Sequence, residues 1–245
     1  MDVGAWIGSL RADGRRMAAV AAGLSLDDPV PTCPEWNVRQ LLRHTGWVHR
    51  WAGAMVRDAR PEPPGREDVL PGGWPTDEGL VDWFREGHER LVSALESAPD
   101  DLDCWTFMQM PDSRAFWARR QAHETAIHRV DAELVAGAVS GFDTEHAADG
   151  IDELVVFFIS RPDRGPRAPE VKTLRVAATD AGRHWTVSFG PDDSAGRAGG
   201  EGPVDCTVTG RASDLYLYLW NRIPPDDIRV EGRGDVLDYW SEASF

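Results

Sequence analysis

The sequence predicts an α+β protein. An up-down helical bundle over residues 1–160 is followed by a small α+β domain over residues 161–245. Three observations point there. Apolar residues recur at helical spacing up to about residue 160. A Pro/Arg/Gly stretch from Arg161 to Pro169 then breaks the pattern. Beyond it come short segments rich in Val, Thr, Phe and Trp, bounded by turn residues, as strands are.

Taken in order, Asp2 to about Leu24 carries Val3, Trp6, Ile7, Leu10, Met17 and Val20 at helical intervals. The run Asp27-Asp28-Pro29-Val30-Pro31-Thr32-Cys33-Pro34 is a stiff connector. Asn37 then caps a helix from Val38 to about Arg57. Residues 58–75 hold five prolines and three glycines and read as loop. Thr76 caps a third long helix over 77–97, a fourth runs over about 113–138, and Asp143 or Thr144 caps a fifth ending near Ser160. In the second domain, 174–178 and 185–189 read as strands joined by a turn at Asp180-Ala181-Gly182. Residues 190–202 are poor in apolar side chains and read as a mobile loop. Residues 204–209 and 228–230 read as strands, and 212–221 and 236–240 as helices.

With 245 residues the chain is long enough for one large or two small domains and buries a core without staples. It carries 26 basic and 41 acidic residues, a formal charge of −15. That balance argues against nucleic acid and anionic membrane as partners, both of which demand a basic footprint. No run of 18 uncharged apolar residues is present, so no membrane span is expected. Met1-Asp2-Val3-Gly4 lacks the layout of a secretory leader. Cys33, Cys104 and Cys206 form no disulfide framework and read as small apolar residues, so a cytoplasmic location with reduced thiols is expected. Lys172 is the only lysine, as a GC-rich genome would produce.

The chemistry gathers on two helices. Glu124 and His128 are one turn apart. Their stripe also contains Trp117, Asp131 and Val135, flanked by Phe116, Ile127 and Leu134, and it faces the bundle interior. Arg119, Arg129 and Glu133 fall on the expected solvated side. On the helix from Val38, the stripe through His44 contains Leu41, Val48, Trp51 and Met55, with Arg39, Arg43, Arg50 and Arg57 opposite. His44, Glu124 and His128 thus share one interior. Two imidazoles and a carboxylate make a three-ligand metal set with a fourth position open. The plainer alternatives stay open at this point: a hydrogen-bonded core histidine, and a buried Glu–His ion pair. His123 is spaced wrongly for the His-Glu-x-x-His zinc motif and reads as structural, and His49 as packing or surface. Asp131 reads either as an acceptor behind His128 or as a salt-bridge partner.

Two segments resemble a known family. They are Pro34-Glu35-Trp36-Asn37-Val38-Arg39-Gln40-Leu41-Leu42-Arg43-His44 and His123-Glu124-x-x-x-His128-Arg129-x-Asp131-Ala132-Glu133. The family is the mycothiol-dependent maleylpyruvate isomerase-like proteins, with a DinB-like bundle and a sterol-carrier-like second domain. Asp149-Gly150-Ile151-Asp152-Glu153, Val208-Thr209-Gly210, Leu217-Tyr218-Leu219-Trp220-Asn221-Arg222 and Val230-Glu231-Gly232 extend the resemblance to nearly the whole chain.

The resemblance implies a divalent metal, zinc first, at His44, Glu124 and His128. It also implies mycothiol as a low-molecular-weight thiol cosubstrate, an actinobacterial source, and Arg222 as a residue that binds an anionic substrate or the cofactor. The expected activity is S-transfer or cis–trans isomerisation of a small electrophilic substrate by a metal-activated thiolate. The alternative is a non-enzymatic small-ligand-binding or regulatory protein with a degenerate metal site. A zinc-binding anti-sigma factor is disfavoured, because the His-x3-Cys-x2-Cys cluster it needs is missing.

Overall fold

The computed structural model describes residues 1–107, 110–161 and 164–243. Pro162 and Asp163 of the expected linker lie outside the described residues. The chain divides into two compact units, Met1–Ser140 and Gly141–Phe245.

The first unit is built on four long helices: α1 (Val3–Ala21), α2 (Val38–Arg57), α4 (Leu80–Ser97) and α5 (Ser113–Val135), with a short α3 (Arg66–Val69) inside the proline-rich loop. Each start has a local cause. Asp2 caps α1 by accepting from the Ala5 amide at 2.8 Å. Asn37 and Gln40 form a reciprocal capping box on α2, each side chain bonding the other's backbone amide at 3.1 and 2.8 Å. The third long helix begins at Leu80, and Gly79 rather than Thr76 stands at its cap, because Thr76–Gly79 closes a tight turn first.

Helix α1 packs on α4 and α5, and α2 packs on the same two. Leu10, Met55, Leu91, Leu95 and Trp117 fill one end of the core, and Met17, Leu41, Leu42, Leu80 and Phe84 the other.

One expectation about α5 is overturned. Arg129 and Glu133, assigned to the solvated side, are 2% and 3% exposed. Helix α1 covers that side and brings Asp13 and Arg16 against it. Arg129 bonds Asp13 at 3.1 Å and Glu133 at 2.8 Å, and Arg16 and Ser140 close the network onto Glu133. Burial outweighs Arg129 and holds the Asp13 carboxyl up at about 6.

The second unit opens with α6 (Thr144–Asp152), which continues through a π-turn (Glu153–Phe157) and a 3₁₀ turn (Phe158–Ser160). Sequence periodicity placed this helix in the bundle. The compact units divide after Ser140 instead, since α6 packs on α7 (Ala212–Leu219). Phe142 meets the Tyr216 ring at 5.3 Å, and the Trp185 indole donates to Asp152 at 3.0 Å.

The sheet has the order β3-β2-β1-β4-β5. Its strands are β1 (Lys172–Ala178), β2 (Arg183–Phe189), β3 (Ser194–Ala198), β4 (Cys206–Gly210) and β5 (Arg229–Gly232). All neighbours are antiparallel except β1 and β4. Leu174, Val176, Trp185, Val187 and Val208 are buried, as are Leu215 and Leu219 of α7 and Trp240 of α8 (Val236–Ser241).

β3 falls where a mobile loop was expected. Its Ser-Ala-Gly-Arg-Ala sequence carries no strand signal, and its pairing with β2 supplies the order. A Cβ on Gly196 would lie 2.1 Å from the Val155 carbonyl oxygen of the π-turn. Gly196→Ala is therefore expected to cost about 1–3 kcal/mol through forced backbone displacement. A thermal melt of the full chain unchanged within a degree would refute this packing.

Candidate metal centre

His44 lies two turns into α2, positioned by the Asn37 cap, and Glu124 and His128 lie one turn apart in the middle of α5. The fold brings all three together. His44 Nε2 is 3.2 Å and His128 Nε2 3.3 Å from the same oxygen, Glu124 Oε1. One potential ligand atom from each residue lies within 4.8 Å of the others. Ligands about 2.0–2.2 Å from a tetrahedral cation are about 3.3–3.6 Å apart, so both nitrogen–oxygen separations lie near the short edge of such a site.

The surrounding groups fix these atoms. His128 Nδ1 donates to Asp131 Oδ2 at 2.8 Å. Asp131 Oδ1 accepts from the Thr32 hydroxyl at 2.6 Å, and Cys33 Sγ is 3.9 Å from Oδ2. Both readings of Asp131 meet in this one contact: it accepts from His128 Nδ1, and it pairs with the imidazolium when His128 is protonated. With Nδ1 so engaged, a neutral His128 aims the Nε2 lone pair at a carboxylate oxygen, which requires a proton or a cation between them. The donor set thus fits a divalent metal.

Arg120, 3% exposed, donates to Glu124 Oε2 at 3.2 Å, leaving Oε1 for the two imidazoles. Trp36 covers the site, its ring 4.7 Å from that of His44 and 5.7 Å from that of His128. The connector holds it there through the Val30 amide, which bonds the Trp36 carbonyl at 2.9 Å.

The charges reinforce one another. Burial opposes ionisation of Glu124, but the His128 and His44 contacts outweigh it and hold the carboxyl well below the usual range. Burial likewise opposes a charged His128. The Asp131 and Glu124 carboxylates prevail and raise it to about 9.

A cleft of about 500 Å³ opens on His44, walled by Trp36, Trp47, Arg43 and, from the proline-rich loop, Arg66 and Trp74. A larger one, about 840 Å³, lies between α2 and α4 and contains none of the three ligand-type residues. The smaller is the relevant one, since it reaches His44.

The other sequence candidates fall outside the triad. His49 is buried, 2.8 Å from the Thr125 hydroxyl, and burial keeps it well below the ordinary imidazole value. His123 is fully buried. Arg222 is in the second unit just beyond α7, where its guanidinium donates to the Trp220 carbonyl at 2.6 Å. Burial raises the Cys104 and Cys206 thiols above their ordinary value, and Cys33 is half-buried beside Asp131. Sequence reasoning missed Arg120, whose signal was its place one turn before Glu124. It also missed Arg66 and Trp74, which no periodicity could place.

Among curated proteins, none matches the sequence. Two solved structures align with it at 13% identity, over 94% of this chain and 93% of theirs, each with a TM-score of 0.66. One is a mycothiol-dependent maleylpyruvate isomerase. The other is a variant of such an enzyme with a histidine replaced by alanine. At that identity the likeness speaks for the fold. Residues 9–133 match the profile of the mycothiol maleylpyruvate isomerase N-terminal domain, and residues 145–238 that of the family's C-terminal domain. Spanning both domains in order, the chain belongs to the mycothiol maleylpyruvate isomerase family.

Proposed function

We propose that the protein is a divalent-metal-dependent thiol enzyme. His44, Glu124 and His128 hold the cation, mycothiol is the cosubstrate, and the reaction is S-transfer or cis–trans isomerisation of a small electrophile. The observation that carries this reading is the approach of two imidazole nitrogens, at 3.2 and 3.3 Å, to one carboxylate oxygen. A divalent cation there supplies a Lewis acid that lowers a thiol's pKa from about 8.5, so its sulfur is nucleophilic near neutral pH. Zinc is proposed first, because two imidazoles and a carboxylate are a donor set it takes with one position open.

The chain's own groups position the reactants. Asp131 holds His128 with Nε2 forward, and Arg120 restricts Glu124 to one oxygen. Trp36 limits water at the imidazoles. A protein cysteine is not required, and the raised Cys104 and Cys206 pKa values make poor nucleophiles of those thiols. A role for Arg222 in binding substrate or cosubstrate is proposed on the family pattern alone.

The test is a screen of the full chain, with mycothiol and with glutathione, against activated unsaturated acids. Turnover should require mycothiol, vanish on chelation and return with zinc. Thiol-dependent turnover that survives complete chelation would defeat the proposal. Small-ligand binding indifferent to chelation, without turnover, would favour the non-enzymatic alternative.

A further inference from the structure

Arg43 and Arg66 share an unusual property in a chain with 15 more acidic than basic residues. Most arginines of the first unit are paired: Arg39 with Asp27 and Asp77, Arg60 with Asp68, Arg90 with Glu86, Arg114 with Asp100. Neither the Arg43 nor the Arg66 guanidinium has a hydrogen bond or close ion pair among the described residues, Asp77 acts on Arg43 only from beyond contact distance, and the Arg43 Nε is buried without a partner. Both lie against one indole, their central carbons 5.4 and 5.6 Å from the Trp74 ring. Both line the cleft that opens on His44, and among the described residues no carboxylate lines it with them. Two like charges gathered at one aromatic face, one of them partly desolvated, favour an anion between them.

We propose that Arg43, Arg66 and Trp74 form a carboxylate subsite, which fixes which end of the electrophile faces the metal centre. The assignment rests on the proposed function for its occupant. The guanidinium fork matches a carboxylate, and the Trp36, Trp47 and Trp74 walls suit a flat, conjugated chain. Arg43 and His44 line the same cleft, so an acid held there has its unsaturated carbons on the side of the ligands. The loop carrying Arg66 and Trp74 is then a specificity element.

The experiment is calorimetric titration of the chelated full-length protein with cinnamate, cinnamamide and inorganic phosphate. Without metal, any carboxylate binding comes from the protein itself. Cinnamate should bind at least roughly tenfold more tightly than its amide. Arg66→Gln, on the exposed loop, and Arg43→Gln should each remove roughly tenfold of cinnamate affinity while leaving cinnamamide unchanged, which also checks folding. Three results would overturn the subsite: equal binding of acid and amide, wild-type cinnamate affinity in both variants, or phosphate displacing cinnamate at equal concentration. Failure of the metal reading looks different: cinnamate binds as described, but the reconstituted protein takes up no cation.

Discussion

His128→Ala is expected to abolish metal binding, leaving below roughly a tenth of an equivalent after reconstitution where the wild type takes up about one. The variant retains one imidazole and one carboxylate, and Arg120 already engages Glu124 Oε2. Alanine also takes the His128 partner away from the fully buried Asp131, at a cost of about 1–3 kcal/mol. His128→Asn separates the two effects. Its amide nitrogen can occupy the place of Nδ1 and donate to Asp131, but nothing replaces Nε2. Both variants should lose metal, and only alanine should lose much thermal stability before metal is added. His184→Gln, in the second unit, should bind metal as the wild type does. A His128→Asn protein holding about one equivalent would remove His128 from the ligand set.

The stripe on α5 was legible because Glu124 and His128, both costly to bury, fell among apolar neighbours at helical spacing; on α2 His44 falls at the edge of its stripe, its side chain 36% exposed. The same reasoning failed for Arg129 and Glu133, since a helix packed on several sides buries its charged residues wherever partners exist, here Asp13 and Arg16. It failed for Arg43, placed on the outer side of α2, because that side borders a cleft walled by the proline-rich loop. The composition of residues 58–75 predicted a loop, and only tertiary structure could bring Arg66 and Trp74 beside His44. β3 stayed hidden for a related reason: its order comes from its pairing with β2, and Gly196 is there for a close approach rather than for strand propensity. The position of α6 was equally out of reach, as an apolar face does not say which core it faces.

Metal affinity is expected to rise about tenfold per pH unit from about pH 7 to 9 and then level off. In the metal-free chain His128 titrates at about 9 against an ordinary 6.5, burial being outweighed by Asp131 and Glu124. Below that value the imidazolium must lose a proton before Nε2 can act as a ligand, so each unit of acidity costs a factor of ten. A pKa raised in the folded state stabilises the metal-free chain fully below about pH 6.5, and the contribution fades as pH rises through 9. Metal-dependent stabilisation runs the opposite way, so the gap in Tm between loaded and metal-free protein should widen with pH. Asp131→Asn gives the sharper form of the test. Without that carboxylate His128 is less basic, and the plateau should begin at lower pH. The ligand is also less well oriented, and above pH 9 affinity should fall by roughly 10–100-fold. Weaker competition from protons should narrow that deficit toward neutral pH. Metal-buffered titrations of both proteins measure the two curves. A wild-type curve already level above pH 6.5, or a constant ratio between the proteins at every pH, would show that Asp131 does not hold the proton on His128.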